Sequence, residues 1–394
     1  MTAIDIALDR LLRAAGDPLA ALQGIAPGDP AFGEAQRIRI AMGILAKSPA
    51  AFPAIREAMA TLPRAAMPGM AGAHVEAAQA WVAGEPVAAA HAYASIVERW
   101  PQDALGLRLA QSTFFYLGWH ESLRGLVDGV VAATPRTSPT HGFALAVASH
   151  AHAEVGNAER AQALGRQALA LDPACPSGVH AVAHAFASSG RAREGARWMR
   201  DQVVHWAGDS RMRTHNAWHL GMFDAADGDP RSALGILDGW LLPAAAHSAL
   251  EACDATALLW ELTRGGLEAA GRWHALSDAF ERCLWPGFWP YVDLHAALAH
   301  LAAGNPDRAR HLAQDVDRCA TGCDHAALRA RRITQPGMRA LIAWAEGRYA
   351  EASAGFAALR PVLGDMGGSR VQLEIFTRLE REASQLAVTE RRAA

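Results

Sequence analysis

A short phrase returns along this chain of 394 residues: a small residue, Gly, a polar residue, then Ala or Gly five positions after the first Gly. It stands at Gly84 with Ala89, Gly156 with Ala161, Gly190 with Gly195, Gly228 with Ala233, Gly304 with Ala309, and Gly347 with Ala352. Between these points, segments of roughly 10 to 15 residues carry apolar side chains at helical spacing. A glycine of this kind closes a helix, and the small residue further on lets two helices approach closely. Strand signals are nearly absent, so the chain reads as all-α helical hairpins.

The pattern is sharpest over 142–173. There Gly156 closes a first helix, Ala161 and Ala168 sit in a second, and Pro173 stops it. Offsets of this kind within about 34 residues match the tetratricopeptide repeat. The same frame places hairpin starts near Met70, Ala104, Pro176, Thr214, Leu250, Pro290 and Ile333. The expectation is a single α-helical repeat domain over 1–394. It comprises degenerate N-terminal helices over 1–65, about eight hairpins over 66–365, and a capping helix and tail over 366–394. Eight such hairpins approach one turn of a right-handed superhelical solenoid, whose concave side becomes a central pocket.

Composition narrows the function classes. Lys+Arg number 37 against 40 Asp+Glu, a net charge of −3, which offers no electrostatic footprint for nucleic acid or an anionic membrane. Lys47 is the only lysine, the remaining cations being arginine. With so much alanine, this reads as the codon bias of a GC-rich bacterial genome. A hydrophobic fraction of 51% excludes global disorder. Five scattered cysteines make no disulfide framework, and no window approaches a membrane span. The N-terminus lacks a long apolar core with a cleavage site, so a cytoplasmic protein is expected.

In tetratricopeptide hairpins the first helix faces the concavity. Its inward positions here are His74, Arg108, Ser112, Tyr116, His150, Glu154, His180, His184, His215, Trp218 and Met222. Five histidines among eleven positions make a titratable face. A clamp for the end of a peptide would instead use Asn and Lys. His180 and His184, and again His215 and His219, stand one helical turn apart on one face, a spacing that can bind zinc. No Glu follows the first His as in zinc proteases, and neither a metal nor a cofactor is expected. Asp254 and Asp293 lie near the starts of later first helices, and an Asp beside His295 suits a general-base couple. Gly367-Gly368-Ser369 precedes the last helix and offers either N–H groups to an anion or a plain cap by Ser369. Cys319, Cys323 and His325 read as a loop, lacking haem or zinc spacing.

At this point the strings VHAVAHAF (179–186), THNAWHLGMF (214–223), GRW (271–273), VDLHAALAHLAAG (292–304) and GDMGGSRVQLEIF (364–376) carry a resemblance. In order and spacing they resemble the tetratricopeptide repeat protein 38-like family over about residues 70–385. The matched positions are His180, His184, His215, Asn216, Trp218, His219, Asp254, Asp293, His295, Gly367, Gly368, Ser369 and Gln372. The resemblance implies a solenoid whose signature residues gather on its inner face, and it delivers no reaction. The chain departs from the family's acidic residues at Ala187 and Ala226, from its Asn at Val292, and from its Arg-Asp after Gln372. A divergent member with a less polar ligand is implied.

The expected function is a small-molecule pocket, with general acid–base chemistry by a His–Asp couple if it turns over, hydrolysis or proton transfer before redox. His184, His219, Asp293 and His295 are the candidate catalytic residues. His180, His215, Asn216, Trp218, Asp254, Ser369, Gln372, Tyr116 and His150 are the candidate ligand contacts. The alternative is a non-catalytic scaffold gripping a peptide or protein partner. A third reading is recruitment of a divergent copy to one biosynthetic step.

Overall fold

The computed structural model describes residues 1–62 and 69–393. The expected boundary at 65/66 therefore lies outside the described residues. Helices run α1 (Ala3–Arg13), α2 (Phe32–Leu45), α3 (Phe52–Ala60), α4 (Met70–Val82), α5 (Pro86–Arg99), α6 (Ala104–Leu117), α7 (His120–Ala133), α8 (His141–Glu154), α9 (Ala158–Leu171), α10 (Pro176–Ser188), α11 (Ala192–Asp201) and α12 (Val203–Trp206). They continue as α13 (Arg213–Ala226), α14 (Pro230–Ile236), α15 (Leu242–Ala245), α16 (Ala249–Arg264), α17 (Ala270–Cys283), α18 (Pro290–Ala302), α19 (Pro306–Cys319), α20 (His325–Arg329), α21 (Gln335–Ala345), α22 (Tyr349–Leu359) and α23 (Arg370–Ala393). Among the described residues there is no strand, only an isolated bridge between Ala15 and Ser210. The fold is all-α and of tetratricopeptide type.

The repeated glycine does what its position demands. Gly156 has φ +85°, a conformation L side chains rarely adopt. With it, the Asn157 N–H turns back to His152 O at 2.9 Å, satisfying a carbonyl at the end of α8. Gly304 repeats this at the end of α18, with φ +72° and Asn305 N–H on His300 O. Proline then opens the next helix at Pro86, Pro230 and Pro306, where a missing N–H costs nothing. Two helices depart from this regularity. Leu237–Leu241, between α14 and α15, and Ala330–Thr334, between α20 and α21, are π-helical.

The chain forms two compact units, Met1–Asn216 and Ala217–Ala394, the boundary falling inside α13. In the first, α4–α5, α6–α7, α8–α9 and α10–α11 are successive hairpins, and α10 packs on both α8 and α9. Small residues set that spacing. A Cβ built on Gly165 of α9 would lie 2.5 Å from Val182 and 2.8 Å from Ser149 Oγ. In the second, α18 packs against α16, α17, α19 and α21, and α23 closes over α22.

The first helices are buried almost all round. In α8 every residue except Gly142 is buried, including His141, Ser149, His150, His152 and Glu154. A helix in that position is ordinarily apolar, so each of these side chains needs a partner or a purpose. Several find structural partners. His141 Nδ1 meets Thr134 O at 3.0 Å, and Ser149 Oγ donates to Ala161 O at 2.7 Å. His152 Nε2 lies 2.9 Å from Asp128, and His74 Nε2 2.6 Å from Asp103.

Candidate functional site

What remains on the first helices of the first unit is a cluster. His150 and Glu154 lie on α8, His180 and His184 on α10, and His215 on α13. The contacts that seat α10 on α8 bring them together. His184 Nδ1 is 2.8 Å from Glu154 Oε1, and His184 Nε2 is 2.9 Å from His180 Nε2. The His150 ring stacks on His180 at 5.4 Å and meets His184 edge-on at 4.6 Å. The His215 ring lies 4.9 Å from His180. His120, at the start of α7, reaches Glu154 Oε2 at 3.8 Å. Glu154 and His184 are buried, whereas His180 and His215 are partly exposed.

The charges follow from this geometry. Burial alone would raise the Glu154 carboxyl, but the hydrogen bond from His184 and the neighbouring imidazoles outweigh it and hold the acid well below its usual range. An ionised carboxylate only accepts, so His184 donates from Nδ1 and its Nε2 is the basic position. With His184 neutral, the 2.9 Å contact is a hydrogen bond from the His180 Nε2–H to His184 Nε2. Burial, reinforced by His184, pushes His150 down to about 3, so it stands as a neutral ring beside the pair.

The same residues offer ligand atoms to a metal. One ring nitrogen from each of His180, His184 and His215 lies within 4.8 Å of the others, and His150, Glu154 and His184 form a second such group. Three imidazoles suit a borderline divalent ion, and a carboxylate behind one of them is the usual way such a ligand is oriented.

The second unit holds its own buried polar group. Ser369 and Gln372 form a reciprocal cap on α23: Gln372 N–H donates to Ser369 Oγ at 3.2 Å, and Ser369 N–H to Gln372 Oε1 at 3.1 Å. Gln372 Nε2 also donates to Asp254 Oδ1 at 3.0 Å, tying α23 to α16. The expected couple of Asp293 and His295 does not form. His295 Nδ1 donates to Tyr291 O at 2.7 Å, and Asp293 Oδ1 accepts from Gly287 N–H at 3.2 Å. Two residues apart on a helix, these side chains point away from each other. Asp293 Oδ2 and His295 Nε2 are buried without a hydrogen-bond partner. Burial, only partly offset by Gly287 N–H and Arg329, pushes Asp293 up to about 8; burial likewise pushes His295 down to about 4. The carboxylate that meets a histidine of this cluster is Glu154, beside His184 and on the inner face that the sequence marked out.

Most of the remaining expected residues are buried among other side chains. Asn216 is buried and donates to Pro176 O at 3.4 Å. Trp218 and His219 are buried along α13, their rings 4.8 Å apart, with Phe223 6.3 Å from His219. Tyr116 meets Trp81 edge-on at 5.2 Å. Trp289 is buried with its N–H on Met366 O, whereas Trp285 is exposed. Cys319 and Cys323 are exposed thiols, and Asp324 caps α20. A cavity of about 550 Å³ lies elsewhere in the first unit, among Ile4, Leu8, Arg37, Met70, Trp100 and Leu105; none of the expected site residues lines it.

No family model matches the sequence. The chain is similar to the APC/C hetero-tetramer Cut9–Hcn1, with 12% identity and a TM-score of 0.43, covering 97% of this chain and 67% of that one. It is also similar to a Rap protein complexed with Competence and Sporulation Factor, with 11% identity and a TM-score of 0.46, covering 97% of this chain and 99% of that one. Likenesses this distant concern the helical fold alone and decide nothing about activity or partner.

Proposed function

We propose that this helical-repeat protein is a cytoplasmic, divergent relative of the tetratricopeptide repeat protein 38-like group, and that its first unit carries out acid–base chemistry on a small molecule. The observation that carries the reading is the ordered series Glu154, His184, His180, which runs from a buried carboxylate to a partly exposed imidazole. A neutral His180 that donates from Nε2 accepts protons at Nδ1. When it takes a proton there from water or substrate, its Nε2 proton passes to His184 Nε2. The resulting His184 imidazolium is stabilised by Glu154, and the reverse transfer delivers the proton to a leaving group. Hydrolysis and proton transfer are the reactions this serves.

The test is hydrolysis of p-nitrophenyl acetate by the purified protein and by His180→Ala and His184→Ala variants. Turnover that both variants lose supports the reading. Turnover equal in all three, or absent in all, removes the catalytic role and leaves the partner-binding scaffold as the function of the array. A second reading is favoured by the three ring nitrogens of His180, His184 and His215 within 4.8 Å. A divalent zinc-like ion there would supply a metal-bound hydroxide in place of the His180 base. Metal analysis of the purified protein separates the two: one ion per chain, lost in a His180→Ala, His215→Ala double variant, establishes the metal form.

A further inference from the structure

The only lysine in the chain follows α2 in a left-handed backbone conformation, φ +46°, that a lysine rarely adopts. Its ammonium lies over the Phe115 ring, 5.5 Å from the centroid. Phe115 belongs to α6, and its ring also meets those of His120 and His150, each 6.5 Å away. Arg108 stands two turns earlier on α6, on the same face. It gives one N–H to Gln111, and its Nε is buried without a partner.

Among the described residues, no acid is paired with Lys47 or Arg108. The groups acting on Lys47 are its burial and the charge of Arg108; those acting on Arg108 are its burial and the charge of Arg211. Asp17 and Asp209 bear on Arg211, whose guanidinium is tied to Gly16 O and Arg10 O. Lys47 and Arg108 are each only partly exposed, like charges so placed without a counter-ion repel, and a chain gains nothing in stability by setting its one lysine there. The arrangement fits a site completed by an anion: a planar guanidinium and a mobile ammonium, with an aromatic ring leading to the histidines.

We propose that Lys47 and Arg108 together bind the carboxylate or phosphate group of a small molecule whose other end reaches the His150–His180–His184 cluster. The inference rests on the acid–base reading for what becomes of that molecule, but anion binding stands apart from it. Burial and Arg108 push the empty Lys47 down to about 7, and a bound anion raises it again.

The experiment exploits the single lysine. Reductive ¹³C-methylation of the full chain labels Lys47 and the terminal amine alone, and NMR follows the Lys47 methyl signal with pH. Inorganic phosphate and succinate are the two probes, distinguishing a phosphate from a carboxylate ligand. The expected result is a midpoint near neutrality without ligand, raised by about one unit or more by one of the probes. Arg108→Met should abolish that rise and move the empty midpoint upward. As a check independent of the label, Lys47→Met should weaken binding of the same probe by about tenfold in calorimetry. A Lys47 midpoint close to 10.5, indifferent to both anions, overturns the proposal. His184→Ala should leave the anion response intact. Loss of hydrolysis in that variant with no anion response anywhere would refute this inference while sparing the acid–base reading.

Discussion

Replacing Asp293 by asparagine should stabilise the second unit, and only above the acid range. Asp293 is fully buried on α18, with one oxygen accepting from Gly287 N–H and the other unpartnered. Burial raises its carboxyl from 3.8 to about 8, so the folded protein retains a proton at neutral pH that the unfolded chain releases. Below 3.8 both states are protonated and the residue costs nothing. As pH rises towards 8 the unfolded state binds fewer protons than the folded one, and stability falls. At about 1.4 kcal/mol per pH unit, the loss reaches on the order of 4 kcal/mol by pH 7 and under about 2 at pH 5. Asparagine keeps the acceptor for Gly287 and carries no charge in either state. Urea unfolding followed by circular dichroism at pH 4, 5.5, 7 and 8.5 should show the variant level with the parent at pH 4 and increasingly more stable above it. A difference between the two that does not change with pH would refute the assignment of a buried, protonated Asp293.

Two glycine substitutions should move stability in opposite directions. Gly165→Ala drives a methyl into Val182 and Ser149 where α8, α9 and α10 meet, and should cost about 1–3 kcal/mol, read as a lower Tm. Gly129→Ala lies on the exposed side of α7 with nothing within 4 Å, and should raise stability by up to about 1 kcal/mol. Glu154→Gln leaves the buried His184 imidazole without its carboxylate. It should cost about 1–3 kcal/mol in chemical denaturation and remove p-nitrophenyl acetate hydrolysis.

The hairpins were legible because their signals are local. Glycine at a positive φ and proline at a first turn act within a few residues, so helices begin at Met70, Ala104, Pro176 and Pro290 where the spacing puts them. The π segments at 237–241 and 330–334 left no comparable mark, since their extra residue per turn is absorbed by packing against neighbours. In the site, the histidines of α8, α10 and α13 were visible as one face of successive first helices. Glu154 stood on that face too, but its pairing with His184 did not show. Asp293 looks like a partner for His295 in the linear sequence, yet helical geometry separates side chains two residues apart. Glu154 reaches His184 only because α10 packs on α8. Lys47 reads as a trace of codon usage until the fold sets it beside Arg108 and Phe115.

The central claim is that Glu154 fixes His184 as the Nδ1–H tautomer, with Nε2 turned to His180. Long-range ¹H–¹⁵N NMR of the imidazole rings measures this directly. The account predicts a protonated Nδ1 and a bare, hydrogen-bonded Nε2 for His184 at pH 7, with that preference lost in Glu154→Gln. A His184 protonated at Nε2 and bare at Nδ1, unchanged by the substitution, would contradict it.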